Sequence, residues 1–179
     1  MFSTPRMLFY SILTALLLTP PTAWAQSKQP AEEGEAAADA LFAQSFIGRT
    51  YDDELDIDGW SDLGGGLVAP PIYVHQYERE QDGTFLVLTS RETAKESGDK
   101  PASYEVTDAL IVSKVQKDAA LSISCVQGDD ETLNFIAEAK GKDDKEWWTE
   151  VRRAWEISLE TGKIASTSPK GVRCNNPSW

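Results

Sequence analysis

The chain is poor in the residues that metal and redox chemistry use. Its 179 residues hold one histidine and two cysteines. A single imidazole, at position 75, excludes a zinc site built on two histidines. The cysteines, Cys125 and Cys174, stand too far apart in sequence for a C-x-x-C redox pair. Basic residues are scarce as well, with 17 Lys and Arg against 29 Asp and Glu and a formal net charge of -12. That balance argues against nonspecific nucleic-acid binding, which runs on Lys and Arg neutralising phosphates. It argues equally against docking on an anionic membrane face. No G-x-S-x-G, G-x-G-x-x-G or phosphate loop occurs, and no Cys/His cluster.

Long hydrophobic runs are also missing. The longest, Met7–Leu18 (MLFYSILTALLL), has 12 residues, whereas a membrane helix needs about 20. Arg6, the only charge in the first 27 residues, precedes it; Thr19-Pro20-Pro21-Thr22 breaks it; Ala23-Trp24-Ala25 is a small-x-small site. Basic start, short apolar middle and A-x-A are the three parts of a secretory signal. The sequence therefore predicts a cleaved leader over 1–25, a flexible linker over 26–35 and one globular domain over 36–179. The expected location is periplasmic or secreted, with no membrane insertion after cleavage. In such an oxidising compartment the two cysteines are expected to pair. The bridge would be structural, worth about 4 kcal/mol for a loop of about 50 residues in the chain-entropy treatment.

What is present reads mainly as strand. Ala36–Ile47 places Leu41 with Ser45 and Phe42 with Phe46 at i,i+4, which predicts a short helix ended by Gly48. Residues 51–71 are acidic, then Gly-rich (Gly64-Gly65-Gly66), then Pro70-Pro71, and suggest neither a long helix nor a central strand; the three glycines read as a flexible turn. From Ile72 the pattern turns to near two-residue alternation. Ile72–Arg79 and Thr84–Arg91 form a predicted hairpin about Gln81-Asp82-Gly83. Residues 102–106 and 109–115 read as one interrupted strand or two short ones, and further strands are expected at 120–126, 132–139, 150–159 and 164–168, with a turn or helical piece at 144–149. The fold class is mainly β, with α+β as the alternative. The expected architecture is an antiparallel sheet of about eight strands, arranged as a sandwich or partly closed barrel, with one short N-terminal helix.

Four groups of residues are candidate sites. Glu54, Asp56, Asp58 and Asp62, with Gly59, resemble the opening of a calcium loop, where alternate acids meet the ion. Position one is Glu, however, and Gly65 stands where a bidentate Glu belongs, so a solvated acidic loop is the preferred reading and no cofactor is expected. His75 lies in Tyr73-Val-His75-Gln-Tyr77 without a partner motif and reads as a hydrogen-bonded strand residue. Paired carboxylates for glycoside hydrolysis cannot be singled out among 29 acids. Asp52 and Asp53 together with Trp147 and Trp148 form a candidate partner surface, and Tyr73 and Tyr77 belong to the same set of aromatics that could grip a sugar or a protein; Trp155 reads as core.

The functional expectation is an exported binding or inhibitory module without catalytic activity. Its partner would be a protein or polysaccharide of the cell envelope, basic or polar in character, because acidic surfaces attract cationic partners. A β-barrel carrier of small ligands and a small hydrolase with carboxylate catalysis are the alternatives.

Overall fold

A computed structural model describes residues 30–52, 55–79, 82–98, 100–141 and 144–178. The expected leader over 1–25 lies outside them. The helix α1 (Pro30–Gln44) begins inside the stretch expected as a linker, and residues 45–48 form a turn beyond it. Phe42 and Phe46 meet edge to face at 5.1 Å on its packed side. Leu41, expected on the same face, is 69% exposed, and Ala43 is buried instead.

Eleven strands follow in two antiparallel sheets that do not close into a barrel. The first sheet contains β1 (Thr50–Tyr51), β2 (Trp60–Ala69), β3 (Ile72–Arg79), β4 (Thr84–Ala94) and β5 (Ser103–Val112), in the order β1-β5-β4-β3-β2. The second contains β6 (Ala120–Gln127), β7 (Phe135–Ala139), β8 (Trp147–Trp148), β9 (Val151–Ile157), β10 (Ile164–Thr167) and β11 (Val172–Asn175), in the order β10-β9-β7-β6-β11-β8.

β4 is central because TFLVLT is apolar on both faces. Phe85 and Val87 point between the sheets, where they join Ile72, Val74 and Val112 with Leu121, Ile136 and Ile157 of the second sheet. Leu86 and Leu88 point outward, where α1 covers them with Phe46 alongside Ile57, Tyr77 and Val106. The inter-sheet space is filled by these side chains, so the barrel form of the expectation gives way to a sandwich. Polar ties add to the apolar contact. Thr89 Oγ1 donates to the Gly162 carbonyl at 2.6 Å, and the Ile164 N–H donates to Asp108 Oδ2 at 2.8 Å.

Of the two readings for 102–106 and 109–115, the single interrupted strand is the one found: β5 bulges at Thr107 between the partners of Ser90 and Thr89. Two expectations change. The helical piece at 144–149 is instead the two-residue strand β8, which pairs with β11. The Gly64–Gly66 turn is part of β2, a ten-residue edge strand. Glycine is poor in a central strand because it packs nothing, but an edge strand held by β3 on one side tolerates it.

Cys125 and Cys174 form a disulfide. They are direct partners across the β6–β11 pair, with Cα atoms 4.0 Å apart. The bridge sits in a second apolar cluster with Phe135, Trp148 and Val172.

Candidate functional site

The outer face of the first sheet is only half covered. α1 occupies the end that carries Tyr77, Leu86, Leu88 and Val106. At the other end antiparallel register gathers side chains that are distant in sequence. Tyr51 is opposite Tyr104 on β1–β5, Tyr73 is opposite Ser90 on β3–β4, and Leu67 is opposite Tyr73 on β2–β3. Cross-strand partners share a face, so Leu67, Tyr73, Tyr51 and Tyr104 all look outward. Tyr51 and Tyr104 stack with ring centres 5.4 Å apart, and Tyr73 meets Tyr104 edge-on at 5.0 Å.

These rings line a groove of about 530 Å³. Its floor is Gly65, Gly66, Val74 and His75, and its rim is Asp52 with Glu96, Pro101 and Ala102 of the β4–β5 connection. No Lys or Arg is among its described lining residues. Burial, more than any neighbouring charge, pushes the Tyr51 phenol above its ordinary range. Burial does the same to Tyr104, with Tyr73, Glu92 and Glu96 adding to the effect. Tyr51 is also fixed in place, since its hydroxyl donates to Ser90 Oγ at 2.8 Å.

His75 crosses this floor. Its ring stacks with Tyr77 at 5.5 Å, and its Nε2 lies 3.2 Å from Asp62 Oδ2. The other oxygen of Asp62 accepts the Gly64 N–H, so the bulge of β2 after Asp62 fixes the carboxylate for the imidazole. Gly65 makes room for the ring. A Cβ there would lie 2.2 Å from the Val74 carbonyl oxygen and 2.9 Å from His75 Cγ.

The calcium candidates do not share this arrangement. Asp56 and Asp58 are exposed in the connection before β2, Asp62 is turned to His75, and Glu54 lies outside the described residues. Among the described residues no group of three or more His, Cys, Asp or Glu is arranged to hold a metal ion.

The partner-surface candidates separate. Asp52 is exposed on the groove rim and accepts a hydrogen bond from Ser103 Oγ at 2.5 Å, while Asp53 lies outside the described residues. Trp147 and Trp148 are on the second sheet. Trp148 is 8% exposed beside the disulfide, and Trp147 is half-buried under the Arg173 guanidinium, 4.7 Å from its ring centre. Trp155 packs against the inter-sheet core.

The sequence reading passed over Tyr51 and Tyr104, took Gly65 as part of a flexible turn and His75 as a hydrogen-bonded strand residue, and grouped Tyr73 and Tyr77 with the tryptophans instead of with Tyr51 and Tyr104. The one local signal was the Tyr73, His75, Tyr77 alternation, which places three rings on one face. No family model, curated protein or solved structure matches this chain.

Proposed function

We propose that this chain is a non-catalytic binding module of the cell envelope or exterior, and that the tyrosine groove is where it holds a basic or polar partner. The observation that carries the reading is the groove's composition: three tyrosines edged by Asp52 and Glu96, with no Lys or Arg among its described lining residues. Tyrosine offers a large apolar face with a polar tip, the character of residues that dominate binding surfaces. Carboxylates beside aromatic faces favour a positive group on the ligand.

The test begins with partner capture from envelope extract, followed by calorimetry on the identified partner. Tyr73→Ser with Tyr104→Ser should weaken binding by at least tenfold, the scale of losing central aromatic contacts. Tyr51 is left alone because its hydroxyl is tied to Ser90. Turnover of a glycan or peptide by the purified protein, abolished by replacing one carboxylate, would overturn the reading.

A further inference from the structure

The groove lies beside a long edge strand of the first sheet, β2, which among the described strands pairs only with β3. Four strands stand at sheet edges: β1, β2, β8 and β10. β1 and β8 have two residues each and β10 has four, whereas β2 has ten. Edges are normally blunted by shortness, lysine, proline or a covering element, because an open strand templates another. β2 (WSDLGGGLVA) contains neither lysine nor proline. Its one charge, Asp62, is turned onto His75. Between its two irregularities, after Asp62 and after Leu67, runs Gly64-Gly65-Gly66-Leu67, paired with β3 on one side. Two of those residues belong to the groove floor, and both flanking leucines, Leu63 and Leu67, are 50% exposed.

We propose that a partner protein fills the groove by strand addition. An extended segment pairs its backbone with the outer side of β2 at Gly64–Leu67. Its alternate side chains, lysine or arginine, pass over Gly65 towards Tyr73 and the acidic rim. This mode rests on the binding-module reading and gives it a partner class. Strand addition takes its affinity from main-chain hydrogen bonds and its specificity from pockets for every second side chain; the groove beside Gly65 and Gly66, lined by Tyr73 and Tyr104, supplies such a pocket.

Charge selects the occupant. Asp52 and Glu96 rim the groove, Asp56 and Asp58 are exposed just before β2, and among the described residues no Lys or Arg lines the pocket. A second copy of this chain would bring a net charge of -12 against -12. A basic segment from a different protein meets complementary charge along the same edge.

The experiment is selection of a displayed random dodecapeptide library on the purified protein, followed by synthesis of the enriched peptides. Enriched sequences should lack proline and carry Lys or Arg at alternate positions. N-methylating one alternate set of peptide amides should weaken binding at least tenfold, and methylating the other set less than twofold, because only one edge of the added strand faces β2. Leu67→Lys should weaken the same peptides at least tenfold with unchanged thermal unfolding.

Peptides that respond to Tyr73→Ser and Tyr104→Ser but to neither methylation would overturn strand addition and leave the binding module standing. Enrichment of acidic peptides, or of none, would overturn the basic polypeptide occupant. Sedimentation showing a dimer that Leu67→Lys dissociates would overturn the heterologous occupant in favour of a second copy.

Discussion

Position 65 carries more constraint than a glycine in an edge strand ordinarily does. A methyl group there would meet backbone, the Val74 carbonyl oxygen at 2.2 Å, and the root of the His75 ring at 2.9 Å. Backbone cannot swing aside as the end of a long side chain can. Gly65→Ala is therefore expected to cost about 1–3 kcal/mol, the range for overpacking, and to push His75 off Asp62. Gly66 is the internal control, since a Cβ there has nothing within 4 Å; Gly66→Ala should change stability by less than about 0.5 kcal/mol, as for most open surface substitutions. Urea unfolding of both variants decides it. Equal midpoints would show that β2 shifts freely and that the glycine does not hold the imidazole in place. The same residues explain why the site was hidden in the sequence. A G-G-G run is locally a turn signal, and only pairing with β3 turns it into the floor under His75.

At the scale of elements, legibility followed length and apolar content. β3 and β4 have eight and eleven residues with clear alternation or continuous apolar character, and the hairpin was readable from the chain alone. β1 and β8 have two residues and β11 has four, too few to show a period of two. β11 is held by what lies across from it. Cys174 faces Cys125 on β6, and Cys174 with Asn175 pairs with Trp148 and Trp147 of β8 on the other side. The disulfide thus anchors an edge of two very short strands, besides closing a loop with 49 residues of separation. Cys125→Ala with Cys174→Ala should lower stability by about 4 kcal/mol in the chain-entropy treatment, less where the unfolded chain stays compact. The loss should also be local first. Amide exchange should accelerate at Val172–Asn175 and Trp147–Trp148 before it does along β3 and β4. Uniform acceleration through both sheets would mean that β11 and β8 hold without the bridge.

Across the whole molecule the two faces differ in how their charge is spent. On the second sheet Arg152 and Lys140 engage Asp118, and Arg153 engages the buried Glu138 at 2.5 Å. On the first sheet the groove has acids at its rim and no Lys or Arg among its described lining residues. Two of the acids behind the excess visible in composition, Asp52 and Glu96, border this site, which composition alone could not place because the site is assembled from β1, β2, β3 and β5. Such a surface should act mainly on the rate of encounter, since peripheral charges steer diffusion more than they hold the docked complex. Raising ionic strength from about 0.01 M to 0.15 M shortens the screening length from about 30 Å to about 8 Å. Over that range association with a basic partner should slow by roughly tenfold, while dissociation changes much less. Asp52→Asn, Asp53→Asn, Asp56→Asn and Asp58→Asn combined should slow association at low salt and flatten its salt dependence. Tyr73→Ser with Tyr104→Ser should instead speed dissociation, because those rings contact the ligand after docking. Stopped-flow kinetics on the captured partner separates the two. An association rate indifferent to both salt and the four carboxylates would sink the electrostatic account, whereas tyrosine-dependent dissociation would still mark the groove as the contact.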